Sequence, residues 1–409
     1  MKSMDSLVLD NIQMTNIKKS GIKFKKIVWL ALIALLYNVA TAAVPASPEL
    51  YVSVDDKTVS LIWNVVDEAD GFTLFYAPYP NGKPIRSIDL GDATIISAKF
   101  PVGSAYFVAL QSYNEEGISD YSNVEHFIVS DDDAELPQIT FTFGESMDSS
   151  ARSRFRKDAL RTEAFFTSQS LPRFQPAAMF HAYDDYDELL DAFIETYTAS
   201  LRRSLGLGNP TSELTLSEAD ENWGGGNGQG VAFGNNVFIS TTSPFWREFA
   251  SEAHKTRVVA HELFHVLQYQ LIDAEFSLDV GGDTKAPLAG PRWLIEGSAE
   301  LASFKMLDWA GLSDFDVDLQ WAIDNAADSE YLLEELESSP GYISVIETAG
   351  QISFTAVSFL SPDLSKYASY FSSISNEVQW EEAFFQAFGI TIESFYEEYD
   401  LYQSNGYQN

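Results

Sequence analysis

Residues 260–266 read Ala-His-Glu-Leu-Phe-His-Val. On a helix, positions four apart differ by about 40° of rotation and stack one turn above another. His261 and His265 would therefore project from one face and could bind one metal ion. Glu262, beside the first histidine, could reach a water on that metal. Leu263 and Phe264 would turn into a core. Val258, Val259, Leu267 and Leu271 keep helical spacing, so the expected helix, residues 255–273, is largely buried. A buried helix carrying His, Glu and His without a partner would be costly. The chain has only five histidines, which makes an accidental pair at this spacing rare.

Two ligands do not make a site. Imidazole suits zinc, and a catalytic zinc takes three protein ligands plus a water. His254 lies about 10 Å up the same helix axis. His126 and His181 fall in unrelated segments, and Gln268 and Leu271 stand where one group of zinc proteases needs glycine and histidine. A carboxylate must therefore serve. Residues 291–301, Pro-Arg-Trp-Leu-Ile-Glu-Gly-Ser-Ala-Glu-Leu, supply two on one face of an expected helix over 292–307: Glu296 and, one turn later, Glu300. Such a pair makes sense if one binds metal and the other orients a ligand histidine.

The elements that must hold these residues fall in two parts. Residues 43–131 read as short strands at 59–63, 71–76 and 106–113, with turn signals at Asp70-Gly71, Asn81-Gly82 and Glu116-Gly117. Strands at this spacing suggest a β-sandwich. Residues 131–137, an acidic run ending in proline, mark a boundary. Beyond it, over 132–409, helices are expected at 183–205, 255–273, 292–307, 347–360 and 377–402, with a strand or hairpin at 231–240. Strands followed by helices suggest an α+β domain in two lobes. The glycine-rich run 224–230 fits no phosphate-loop pattern and reads as a turn before that strand.

Lys18, Lys19, Lys23, Lys25 and Lys26, then the apolar run Ile27–Val39, then Ala40-Thr41-Ala42, form a signal-peptide pattern over residues 1–42. The protein is expected outside the cytoplasm, secreted, periplasmic or at the cell surface; an uncleaved membrane anchor is the alternative. Cysteine is absent, which excludes disulfides, thiolate metal sites and cysteine nucleophiles. A formal net charge of −35, spread along the chain, repels nucleic acid and anionic membrane surfaces.

Two family resemblances follow. Trp63 after its strand, the Asp-Gly-Phe-Thr-Leu-Phe-Tyr-Ala run from Asp70, and the segment from Tyr106 through Asn114 to Ser122 resemble a fibronectin type III domain. That resemblance implies a spacer, or a module that engages an extracellular or surface polymer. Residues 260–271 followed by 291–301 resemble the gluzincins, the thermolysin-like superfamily of zinc metallopeptidases, and residues 379–399 resemble the helical end of that group. The resemblance implies one Zn2+ per chain held by His261, His265 and Glu296. Glu262 would be the general base, and Glu300 would hydrogen-bond a ligand histidine.

The implied fold is a fibronectin type III-like sandwich followed by a zincin-like, two-lobed α+β metallopeptidase domain. The implied activity is hydrolysis of a peptide or protein by a zinc-activated water, as an endopeptidase. Tyr269, Tyr331 and Tyr342 are the candidates for the oxyanion donor. The strand over 231–240 is the edge along which an extended peptide would lie. The chain departs from the best-known gluzincins in having 30 residues between His265 and Glu296, and residues 276–290 read as an inserted loop. It also lacks the Gly-x-Met-Glu-Asn run of the aminopeptidases. The rival reading is a non-catalytic protein with a structural zinc, acting through its fibronectin-like domain.

Overall fold

The computed structural model describes residues 43–55, 57–129, 138–204, 216–223, 229–272, 289–327, 329, 331–338, 346–374 and 378–407. The expected signal segment, the whole acidic linker, residues 224–228 of the glycine-rich run, most of the expected insertion, and Tyr342 lie outside these residues.

The first part is a sandwich of two antiparallel sheets. One contains β1 (Leu50–Asp55), β2 (Thr58–Trp63) and β5 (Ile95–Lys99) in the order β1-β2-β5. The other has β4 (Arg86–Gly91), β3 (Gly71–Pro78) and β6 (Ala105–Asn114) in that order, with β7 (Gly117–Ile118) and β8 (Glu125–Ile128) both pairing β6. Period-two alternation sends Val59, Leu61 and Trp63 from β2, and Val108 and Leu110 from β6, into one shared core with Phe72 and Phe127. Gly82 turns the chain with φ of 66°, a conformation that glycine adopts without a Cβ clash.

Strand β2 is buried on both faces, which a free-standing sandwich would not require. Its outward residue Ile62 packs with Ile95, Tyr51, Ala164, Leu160 and Trp309. The Val65 N–H donates to the Trp309 carbonyl at 3.0 Å. Arg161 donates to Thr94 Oγ1 at 3.1 Å. The sandwich is therefore docked on the second part of the chain rather than merely tethered to it.

The second part starts with a four-stranded sheet in the order β11-β12-β10-β9. Its strands are β9 (Ile139–Phe143), β10 (Ala178–Tyr183), β11 (Gly230–Phe233) and β12 (Asn236–Ser240). β9, β10 and β12 are mutually parallel neighbours, and β11 is an antiparallel edge. Both faces are covered, which is why every residue of β12 is buried. Val237 and Ile239 face α1 (Ser149–Ser168) and α5 (Glu252–Leu271), the helix that carries His261 and His265. Phe238 faces α2 (Tyr186–Ser204) and α3 (Leu216–Asn222) through Phe193 and Trp223. A short helix, α4 (Pro244–Glu248), leads into α5, whose first turn is capped by Ser251 accepting from the His254 N–H.

The rest is helical: α6 (Arg292–Trp309), α7 (Phe315–Ala326), α8 (Ile346–Leu360), α9 (Leu364–Ser373), α10 (Trp380–Phe388) and α11 (Ile392–Ser404). Two expectations shift. Tyr183 ends strand β10, and the helix expected from it begins at Tyr186. The single helix expected over 377–402 is two, because Gly389 takes a left-handed φ of 77° and caps α10. In this part of the chain α1, α3, α4, α7 and α9 and the strands β9 and β10 were not foreseen.

Candidate metal centre

Helices α5 and α6 pack antiparallel, and their contacts run in opposite senses along the two segments. Gln268 meets Ile295 and Ser298, His265 meets Glu296, and Arg257 meets Glu300. The facing stripes are His254, Arg257, His261 and His265 on α5, and Glu296, Glu300, Phe304 and Leu307 on α6. Both stripes have the spacing of one helix face.

At the centre, His261 Nε2 and His265 Nε2 lie 3.0 Å apart. Glu296 Oε2 is 3.3 Å from the first and 3.5 Å from the second. One ligand atom from each of the three residues lies within 4.8 Å of the others. Among the described residues these three form a group that could hold a metal ion.

The surroundings fix what each atom offers. The Gln268 amide N–H groups donate to the Ile295 carbonyl and to Ser298 Oγ, both at 2.9 Å. Its Oε1 must then accept, and it does so from His265 Nδ1 at 2.7 Å. A proton on Nδ1 leaves Nε2 of the neutral ring as a bare lone pair facing His261 and Glu296. His261 Nδ1 is buried without a hydrogen-bond partner, 3.6 Å from Glu300 Oε1. Glu300 is itself paired with Arg257, and Glu296 Oε1 with Arg292 at 2.7 Å. The donor set is two imidazoles and one carboxylate, with His265 Nδ1 and Glu296 Oε1 held from outside and His261 Nδ1 short of the hydrogen bond expected with Glu300; it fits a divalent ion such as zinc.

Charge follows from this packing. Burial opposes ionisation of Glu296, but Arg292 and the two histidines outweigh it and hold its carboxyl well below the usual range. Glu300 is also lowered: burial raises it, and Arg257 and His261 lower it more. Burial pulls the His265 imidazole down, but Glu296 pushes it up to about 9. A cation would therefore compete with a proton for that lone pair. Burial raises Glu262 above the ordinary glutamate value, against the lowering effect of both histidines.

Glu262 lies under the sheet edge. A Cβ placed on Gly230 would come within 2.6 Å of Glu262 Oε1 and 2.7 Å of its Cγ. Gly230, Val231 and Ala232 of β11 wall a cavity of about 200 Å3 with His261, Glu262, His265, Tyr269, Arg292, Ile295 and Glu296. A separate cavity of about 360 Å3 lies over His254, Arg257, Glu300, Phe304, Leu307, Trp321 and Phe354.

His261, Glu262, His265 and Glu296 thus meet as the sequence suggested, with Glu300 behind His261. Tyr269 lines the cavity. Tyr331 does not: it is exposed, its carbonyl facing Gln403 of α11. Gln268, Arg257, Arg292 and Gly230 were not foreseen as parts of the site. The one sequence signal for the first three was their spacing. Each sits three or four residues from a site residue on the same helix.

No protein-family model matches this sequence, and no curated protein matches it. Solved structures similar to part of the chain include a myokine structure, at 17% identity over 21% of this chain and 98% of that one, with a TM-score of 0.19. A structure of an FN3tt mutant is similar at 22% identity over 22% of this chain and 99% of that one, TM-score 0.19. The FN1–FN3 domains of chicken CNTN1 are similar at 14% identity over 20% of this chain and 30% of that one, TM-score 0.19. Likenesses at that score add nothing to the strand pairing, on which the sandwich stands.

Proposed function

We propose that this chain is a zinc-dependent peptidase of gluzincin type, exported from the cytoplasm, with a fibronectin type III-like sandwich fixed to its catalytic body. The observation that carries the reading is the position of Glu262. It is a buried carboxylate beside the His261–His265–Glu296 set, and it opens onto the same cavity. A purely structural zinc site is closed by four protein ligands and has no use for a base.

A metal held by these residues would supply Lewis acidity to a water and to the scissile carbonyl. Glu262 takes the water's proton and passes it to the leaving amine. Its raised pKa suits a group that must both accept and return a proton. Tyr269, which lines the cavity, is the oxyanion donor in this reading.

Substrate pairs, as an added antiparallel strand, with the edge of β11 that is unpaired among the described residues. Gln229, just before β11, accepts from His254 near the start of α5 at 2.7 Å. Asn235, just after β11, is bonded by Gln270 near the end of α5 at 2.9 Å. The strand therefore runs in the same direction as α5, and an antiparallel peptide runs from the Tyr269 side towards His254. Its residue after the scissile bond lies on the His254 side, where the cavity over His254, Phe304, Trp321 and Phe354 suits a large apolar side chain.

Digestion of a peptide library with purified residues 43–409, before and after chelation and zinc return, tests this. Metal-dependent internal cleavage preceding large apolar residues is expected. A zinc-loaded, folded protein that cleaves nothing would contradict it.

A further inference from the structure

We infer that Arg292 is a positioning residue that restricts Glu296 to binding metal through one oxygen; the inference rests on the metal-centre reading above. Arg292 opens α6, and its guanidinium reaches Glu296 Oε1 one turn later at 2.7 Å. The other oxygen, Oε2, faces both imidazole Nε2 atoms at 3.3 and 3.5 Å. The two oxygens of one carboxylate thus have separate partners.

Helix stability does not explain this arginine. A cation in the first turn opposes the helix dipole, and a basic residue preceding an acidic one by four is the weaker order for such a pair. The pair instead completes a pattern. His265 is held from behind by Gln268, and Glu300, behind His261, is held by Arg257. Arg292 does the same for the third member of the set. Holding Oε1 keeps a second carboxylate oxygen off the metal and leaves that position to water and substrate. It also draws electron density from Glu296, which makes the ligand a weaker donor and the metal a stronger Lewis acid.

The test is the visible spectrum of the Co(II)-loaded protein without substrate, because cobalt bands weaken as coordination number rises. Arg292→Met keeps the length of the side chain and removes the donor. Its bands are expected to weaken as Glu296 contributes both oxygens, with turnover about 10–100-fold lower. Arg292→Lys, which can still donate to Oε1, is expected to keep the wild-type spectrum. Arg292→Ala replaces the Met variant should that fail to fold. A Met or Ala spectrum identical to wild type overturns the inference alone. So does a Lys spectrum changed as much as the Met one, since the effect would then not lie in the hydrogen bond. A wild-type protein that binds no Co(II) overturns the metal centre, and the inference with it.

Discussion

His265 Nε2 and Glu296 Oε2 lie 3.5 Å apart, although 30 residues separate them in the chain. The antiparallel packing of α5 on α6 closes that gap and also brings Glu300 behind His261. Of the two acids, Glu296 alone has an oxygen facing both imidazole Nε2 atoms. Glu296→Ala should therefore weaken zinc binding more than Glu300→Ala, whose loss should cost only about 10–100-fold. Competitive titration with a zinc chelator reads the order directly. The reverse order would move the ligand to Glu300.

Gly230 leaves room for Glu262 by having no side chain. Gly230→Ala should displace the Glu262 carboxylate by a fraction of an ångström to an ångström without touching a metal ligand. Turnover should fall by about 10–100-fold, since misplacement on this scale is costly. Zinc content should stay at the wild-type level. Unchanged kinetics in a folded variant would remove the β11–Glu262 contact from the account.

Beneath α5, burial raises the Asp158 carboxyl to about 6, although Arg154 and Arg161 lower it. Its Oδ2 is buried without a hydrogen-bond partner. A carboxyl raised on folding binds its proton more tightly in the folded state. Folding stability should then fall as pH rises from about 3.8 to about 6 and stay reduced above it. The difference is about 3 kcal/mol. Asp158→Asn should raise the melting temperature at pH near 8, and the gain should shrink towards pH 4. A variant less stable than wild type at alkaline pH would mean the arginines stabilise the charge more than burial penalises it.

The docked sandwich predicts cooperative unfolding. Ile62→Asp places a charge against Trp309 and Ala164, at a cost on the order of several kcal/mol. Differential scanning calorimetry should show one transition for the wild-type protein, and the variant should show two, or one at a much lower temperature. Two separate transitions in the wild type would mean the interface couples the two parts weakly.

The sequence made some parts of this arrangement legible and hid others, for physical reasons. His261 and His265 declare themselves because helix geometry alone puts them on one face, with Glu262 beside the first. Glu296 and Glu300 follow because each again lies one turn from the other. Gly230 is hidden because its role depends on how close β11 comes to α5, which no local pattern encodes. Gln268 and Arg292 look like ordinary polar helix residues until the partner atoms are placed. In the fold, β9 does alternate, with Thr140 and Thr142 exposed between Ile139, Phe141 and Phe143, and so was legible as a half-buried edge strand; β10 is partly covered on its second face as well, which blurs its alternation. The split between α10 and α11 turns on the backbone of one residue, Gly389, inside an otherwise unbroken helical pattern.

The most direct test of the central claim is to measure zinc content and peptide turnover on the same preparation of Glu262→Gln. The side chain keeps its size and loses its charge, and it is not one of the three ligands. About one zinc per chain with turnover reduced by about 100-fold or more is the predicted result. Loss of zinc as complete as in His265→Ala, or near-normal turnover, would contradict the assignment of Glu262 as the base.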